Sequence, residues 1–557
     1  MNPDNQARLE RFKSTPIDGQ FLKKLIEAGL TWLRANQQTV NLLNVFPVPD
    51  GDTGTNMVLT MQSAYNEISS LGYHNVGQMA AAVSQGALMG ARGNSGVILS
   101  QLWRGFARAL HNQELLDGPS LVRAFSEARD TAYKGVVRPV EGTILTVAKD
   151  TATAAQAALV ETDNPFEILA RIVPAADASV ERTPELLPVL KQAGVVDSGG
   201  KGLFYILEGM LRYINGEPLD TPTASIQPIS AMNLENAMAD IEPGQDFEVV
   251  VDFIPTEDLN LKNFYAELET MGTSIQIGEG EGMYRMHIHV PTENRNKPVD
   301  YIMGLGTITK IAMENLLAQM ENINKKSSGS RIELANLEPG QIAVVAVSPG
   351  HGISRVFASL GVAAIVEGGQ TMNPSIKDLL DSFENLPTDK VIILPNNKNI
   401  ILAAQQAKNV TVKKVYIIPC RNIPQGLAAM MHLNPDGDVE AVTSKMVKSI
   451  EDVIAIEITT ATRTVEIDGV SVEQGQVIAL VNGKLALSTG SVEESCLGAL
   501  KKAETSEHEL ITLFYGEDLS AAEANRIADA VRTAYPAQEV ELQEGGQPHY
   551  QFIISVE

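Results

Sequence analysis

Cysteine is nearly missing from this chain: two residues in 557, Cys420 and Cys496. Two thiols cannot build a disulfide framework, so a reducing compartment, the cytoplasm, is expected. No run of 18 apolar residues passes without a charge, and no membrane span is expected. The stretch Met1-Asn2-Pro3-Asp4-Asn5 opens no apolar h-region, so no secretory signal is expected. Cationic charge is also scarce: 43 Lys and Arg against 68 Asp and Glu leave a formal charge of −25. A phosphate backbone wants a basic face, which disfavours nucleic acid as a partner; a small anionic ligand needs only a local positive site. Two nucleotide signatures are absent as well. The nearest approach to a Walker A loop, Gly194 through Lys201, has the wrong spacing, and Gly202 follows the lysine in place of Ser or Thr. No Rossmann fingerprint stands at a βα junction, so any nucleotide site is of another type.

What is present reads as a multidomain globular protein, with 44% apolar and 20% charged residues. Residues 1–215 read as all-α. Leu22, Leu25, Ile26, Trp32 and Leu33 fall near helical spacing, and further helices are expected around 56–70, 76–88, 94–110, 119–134, 142–160, 164–178, 183–192 and 203–213. Both tryptophans, Trp32 and Trp103, lie here and read as core or groove residues. Residues 216–245 are a Pro-, Thr-, Ser- and Asn-rich linker. Residues 246–325 read as a small α+β module with strands at 247–253 and 283–290 and helices at 258–271 and 297–319, closed by the linker Lys325–Ser330. Residues 326–557 read as an α/β region. Apolar runs at 342–347, 362–366, 391–394 and 415–418 alternate with helices at 352–359, 374–385 and 398–408, a pattern that predicts a parallel sheet. After a helix at 439–451 come strands over 453–490 with hairpin signals at Asp468-Gly469 and Asn482-Gly483. Strand 509–514, helix 519–534 and strands 538–542 and 550–556 complete the chain.

Four polar, glycine-bearing loops stand out in the helical region. In Asn44-Val45-Phe46-Pro47-Val48-Pro49-Asp50-Gly51-Asp52-Thr53-Gly54-Thr55-Asn56-Met57, two carboxylates flank one glycine, so Asp50 and Asp52 can face one point. Such oxygens suit magnesium or calcium, and Thr53, Thr55 and Asn56 can fill out a metal and phosphate shell. An isolated pair of this kind is most often only a hydrophilic turn. The others are Gly90-Ala91-Arg92-Gly93-Asn94-Ser95-Gly96, Arg138-Pro139-Val140-Glu141-Gly142-Thr143 and Asp197-Ser198-Gly199-Gly200-Lys201-Gly202, each running into a helix. Helix N-termini offer backbone N–H groups and a positive dipole end to phosphate. Simple capping, with Asn94 or Ser95 as N-cap, explains the second loop equally well. Four such loops gathered at one end of a bundle would compose a metal–nucleotide site.

Together these loops resemble the nucleotide-binding L-subunit (DhaL-type) domain of dihydroxyacetone kinases. Further motifs, Ser348-Pro349-Gly350, Val366 through Pro374, Leu394-Pro395-Asn396-Asn397-Lys398-Asn399 and Ile423-Pro424-Gln425-Gly426, resemble the C-terminal part of the bacterial fatty acid kinase catalytic subunit. The resemblance implies an N-terminal eight-helix antiparallel barrel that binds Mg-ATP, with Asp50 and Asp52 holding magnesium. It implies that Asn44 stands near the place of a third aspartate, and that Thr53, Gly54, Thr55, Asn56, Arg92, Asn94, Ser95, Gly96, Thr143, Asp197 and Gly199 line the nucleotide pocket. It implies a C-terminal region similar in fold to the DegV type, which docks a separate fatty-acid-binding (DegV-like) protein, and a homodimer, although no stretch marks a dimer surface. An acyl carboxylate is already an anionic nucleophile, so no general base is needed, and His74 and His111 read as surface or structural residues.

In the middle module, His287 and His289 alternate on one strand and could share a metal. The same resemblance implies a Cys on the facing strand that with the two histidines would complete a zinc site. Val250 takes that place here and cannot ligate, which leaves Asp252 for a His-His-Asp set. Gln370, Thr371, Asn373 and Asn396 read as a polar docking surface, and both cysteines as buried thiols. The expected function is therefore a kinase that passes the ATP γ-phosphate to a fatty acid carboxylate on a partner protein, giving acyl phosphate. The alternatives are a dihydroxyacetone-type small-molecule kinase and a nucleotide-binding regulator without turnover.

Overall fold

The computed structural model describes residues 16–44, 51–136, 138–219, 227–228, 246–256, 259–280, 283–315, 332–467 and 469–557. The chain forms two compact units. One comprises residues 1–220 with 332–557, the other residues 221–331. Asp50, most of the linkers at 216–245 and 326–331, and Asp468 of the expected hairpin turn lie outside the described residues.

The first unit opens with helices α1 (Gly19–Ala35), α2 (Gln37–Leu42), α3 (Thr53–Ile68), α4 (Val76–Met89), α5 (Gly93–Ala109), α6 (Gly118–Gly135), α7 (Ile144–Leu159), α8 (Pro165–Glu181) and α9 (Ser198–Asn215). Leaving out the six-residue α2, each packs on the next, and α9 returns to pack on α1. Their apolar faces meet in one core containing Leu25, Met61, Val83, Leu99, Leu145, Ile172 and Leu207. The α1–α9 seam is unusually close because small residues face each other. A Cβ on Gly209 would stand 2.6 Å from the Ala28 carbonyl oxygen and 3.0 Å from the Gly29 Cα. The Trp32 indole closes the seam by donating to Glu208 Oε2 at 2.7 Å beneath the Arg212 guanidinium, 4.0 Å above the ring.

The same unit continues with a parallel sheet in the order 364–367, 343–348, 390–394, 414–417. The first strand, Ala343–Ser348, is buried along its whole length, as a parallel strand covered on both faces must be. Ala91 and Val97 of the helical region share a hydrophobic cluster with Ile376, Leu379 and Val391 of this layer. A second, mixed sheet runs 484–489, 477–481, 454–460, 550–556, 510–515, 539–544. The Asn482-Gly483 signal is a two-residue hairpin turn with both residues at positive φ, 50° and 75°, joining Val481 to its partner Lys484.

The second unit departs from the pattern expected of it. Residues 297–319 do not form one helix: a short helix, Lys297–Met303, ends at Gly304, and Gly306–Asn315 is a strand paired antiparallel with Phe247–Pro255. The run Thr307-Ile308-Thr309-Lys310-Ile311 is dense in β-branched residues, and the sheet edge supplies the pairing that an isolated sequence window cannot show. A further strand, Thr273–Gly280, was concealed by its glycines and polar residues.

Gly209→Leu should lower the thermal midpoint of the full chain, because the facing backbone must shift to admit the side chain, a penalty of about 1–3 kcal/mol. An unchanged midpoint would show that the α1–α9 seam is not tightly closed.

Candidate functional site

The four polar loops converge. Ser198 Oγ at the start of α9 donates to Thr53 Oγ1 at the start of α3, 3.3 Å away. A Cβ placed on Gly199 would lie 3.4 Å from the Ile144 Cβ, which opens α7, and 3.6 Å from Ser95 Oγ in the first turn of α5. Gly93 sits at φ +56° with Asn56 Nδ2 of α3 only 2.6 Å from where its Cβ would be, so only glycine fits without strain. Thus the N-termini of α3, α5, α7 and α9 share one neighbourhood. Each supplies a positive dipole end, worth roughly 0.3–1 kcal/mol toward an anion at an exposed site and up to about 2 when partly buried.

How each helix starts decides what is left for a ligand. Arg92, not Asn94 or Ser95, occupies the N-cap of α5, and its side chain makes no cap bond. The plain capping reading of this loop therefore fails. The Gly93 turn places Asn94 and Ser95 inside the first turn of the helix rather than at its N-cap. Asp52 likewise stands at the N-cap of α3 without a side-chain cap bond. The work of capping passes to Asn41 in α2, a residue that no motif singled out. Its Oδ1 accepts from Gly54 N at 2.7 Å and Thr55 N at 3.2 Å, and its Nδ2 donates to Thr55 Oγ1 at 3.1 Å. The Thr55 hydroxyl is thereby turned toward α2. Thr143 caps α7, and Asp197 caps α9 through Gly200 N at 2.6 Å. Burial pushes the Asp197 carboxyl up to about 6, partly offset by the backbone N–H groups of Gly200 and Ile144.

The Asp52 carboxylate, buried at 8% exposure, reaches across to the α/β layer, where Asn373 Nδ2 donates to its Oδ2 at 2.5 Å. Arg92 reads the same loop: Nη1 donates to the Asn373 carbonyl at 3.0 Å and Nη2 pairs with Asp378 at 3.2 Å. Asn94 Nδ2 donates to Asn399 Oδ1 at 3.4 Å. Arg92 and Asn94 therefore face the α/β layer, and Asn373, expected only as part of a docking surface, belongs beside Asp52. Asn44 gives its backbone N–H to the Asn41 carbonyl at 3.2 Å, and Asp50 lies outside the described residues. Gly96 packs against α3, where its Cβ would meet Thr60 Oγ1 at 2.4 Å.

In the second unit, the antiparallel register sets Val250 opposite His287 and Glu248 opposite His289. Asp252 is not available as a third ligand, because Arg285 grips it with two hydrogen bonds of 2.6 and 2.7 Å. Glu248, unrecognised in the sequence, takes that place. Its Oε1 lies 2.8 Å from His287 Nε2, and the ligand atoms of Glu248, His287 and His289 all fall within 4.8 Å of one another, all three residues buried. Elsewhere, His74 pairs with Asp18 at 2.6 Å. Both cysteines are buried; burial pushes the Cys420 thiol up to about 12 and the Cys496 thiol higher still, which leaves neither as a nucleophile. Among the described residues no helix is long and apolar enough to cross a membrane.

Asn41→Ala should destabilise the chain by about 1 kcal/mol, the usual worth of a lost N-cap, and loosen the first turn of α3. Denaturant unfolding with hydrogen exchange at Gly54 and Thr55 measures it; unchanged protection at both amides would refute the role.

Residues 47–212 match the DAK2 domain, 243–323 the middle domain of FakA-like fatty acid kinase proteins, and 343–557 the FakA-like C-terminal domain. An uncharacterized protein of Staphylococcus saprophyticus is 38% identical over 97% of this chain and 99% of its own length. Protein YloV of Bacillus subtilis is 37% identical over the same shares. Among solved structures, DegV of Bacillus subtilis, described as a fatty acid binding protein, aligns over 39% of this chain and 98% of its own, at 14% identity and a TM-score of 0.30. With all three domain models matched in order and relatives aligned end to end, the chain belongs to the FakA-like fatty acid kinase family, with a DAK2 (DhaL-type) domain at its N-terminus.

Proposed function

We propose that this protein is an ATP- and magnesium-dependent kinase subunit that phosphorylates the carboxylate of a fatty acid presented by a separate, DegV-like fatty-acid-binding protein, giving acyl phosphate. The observation that carries the reading is the Asp52 carboxylate, not spent on capping, at the meeting point of four helix N-termini. The packing of eight long helices, each on the next and α9 back on α1, supports the antiparallel barrel that the reading requires.

The donor set fits magnesium. Asp52 offers carboxylate oxygen, Asp50 precedes it by two residues, and the Asn373 Oδ1 is buried with no hydrogen-bond partner among the described residues. These are hard oxygen ligands. Bound there with ATP, magnesium would shield phosphate charge. The chain's own part is positioning and electrostatics. The first turns of α3 and α5, with Thr53, Asn56, Asn94 and Ser95, take the phosphates; Thr143, Asp197 and Gly199 form the facing wall. No base is required, since the acyl carboxylate attacks as an anion and the departing group is the ADP β-phosphate oxygen. In the second unit, Glu248, His287 and His289 suit zinc, with two imidazoles and one carboxylate in place of a thiolate.

With radiolabelled ATP, magnesium and oleate, label should enter acyl phosphate only when a fatty-acid-binding partner is present. Asp52→Asn should cut turnover by about a hundredfold or more while the fold persists by circular dichroism. Label in dihydroxyacetone, nucleotide binding without turnover, or an active Asp52→Asn chain would each overturn the reading. For the second unit, elemental analysis should find about one zinc per chain, lost in Glu248→Ala; zinc absent from the wild-type chain grown with zinc would refute it.

A further inference from the structure

The α/β layer carries a second polar cavity that the kinase reading leaves without a task. Its position follows from topology. Strand 343–348 is flanked by 364–367 on one side and 390–394 on the other, so the chain order reverses across it. Loops leaving the carboxyl ends of parallel strands diverge at such a point and open a crevice. Here the crevice is roofed by the mixed sheet and encloses about 260 Å³. Gln370, Asn397, Lys398, Arg421, Asn422 and Glu457 line it.

The lining has a definite chemistry. Lys398 and Arg421 stand exposed at the rim, whereas Asn397 and Asn422 are buried. Asn397 Nδ2 donates to Gln370 Oε1 at 3.0 Å, which fixes the amide floor. A smaller inner recess shares Gln370, Asn397, Arg421 and Glu457 and adds Asn396. Asn396 is 6% exposed, sits at φ +54°, and keeps a side-chain oxygen with no hydrogen-bond partner among the described residues. A buried orphan acceptor costs about 1–3 kcal/mol, and non-glycine residues held at positive φ gather at functional sites. Burial pushes the Glu457 carboxyl up to about 7 against the pull of Lys398, so this group can serve as hydrogen-bond donor or acceptor near neutrality. Large apolar side chains are few in the wall: Leu480 and Tyr550. An acyl chain would find no continuous apolar surface there.

We propose that this crevice binds a small, hydroxylated, water-soluble oxyanion, a hydroxycarboxylate or a polyol phosphate, whose charge is met by Arg421 and Lys398 and whose hydroxyl groups are met by Glu457 and the amide floor. The site is separate from the helix N-termini around Asp52 and does not depend on what is phosphorylated there. It also assigns the α/β half of the chain a ligand of its own that is not a fatty acid.

Isothermal titration of the full-length protein with inorganic phosphate, glycerate, glycerol 2-phosphate and oleate tests this. Glycerate or glycerol 2-phosphate should bind saturably with a Kd of about 1 mM or tighter, and which of the two binds better separates carboxylate from phosphate as the preferred head group. Arg421→Met, an exposed substitution expected to fold normally, should weaken that binding by about tenfold or more, the worth of a charged hydrogen bond. Three results would overturn the proposal: no saturation by any small anion up to about 10 mM, undiminished binding in Arg421→Met, or Arg421-dependent binding of oleate in preference to the small anions.

Discussion

Every α-helix begins with N–H groups that must find an acceptor, and the arrangement of this protein turns on where those acceptors come from. If Asp52, Asn94 and Ser95 capped their own helices, the loops before α3 and α5 would be closed turns with nothing left for a ligand. Instead Asn41 reaches in from α2 to satisfy α3, and α5 starts at Gly93 without a cap bond from the Arg92 side chain. The Asp52 carboxylate is released to face outward from the bundle, and Asn373 meets it from the α/β layer. One capping substitution, made by a residue outside the motif, is what gives the site its character.

The bond between Asp52 and Asn373 also explains why the helical region and the α/β layer form one unit. Arg92 binds both the Asn373 carbonyl and Asp378, Ile376 N donates to the Ala91 carbonyl at 3.2 Å, and Ala91 and Val97 enter the core of the parallel sheet. Residues 368–375 consequently touch two places at once. Gln370 faces the polar crevice, Thr371 bonds His549 at 2.9 Å, and Asn373 faces Asp52. This loop therefore links, through the Asn373 hydrogen bond, the Asp52 carboxylate of the helical region to the polar crevice of the α/β layer.

The middle unit illustrates how a strand register can bring a different side chain to the place a sequence motif leaves open. A thiolate position occupied by Val250 speaks against a metal when read along the sequence. In the sheet, however, Glu248 lies two residues away on the same face, opposite His289, and brings a carboxylate to the same two imidazoles. Asp252, equally spaced on the other side, is lost to Arg285. Both residues share the face set by the period of two, and only the neighbour that each meets across the strands separates them.

Local sequence determined what local physics controls. Helical periodicity with polar, glycine-bearing starts placed the helices of the first 215 residues, and alternating apolar runs placed the parallel strands. Asn-Gly specified a hairpin turn, and the motifs around Asp52, Ser95 and Asp197 pointed to their common site. Tertiary structure decided the rest. It brought Asn41 to the first turn of α3 and Asn373 to Asp52 from 321 residues away along the chain. It drew 306–315 out of a helix into a sheet edge, chose Glu248 over Asp252, and opened a polar crevice at a strand-order reversal. Each of these depends on which groups are left to be satisfied once distant segments pack. A capping bond, an edge pairing or a buried carboxylate has no signature in the residues beside it, because its partner is supplied by another part of the fold.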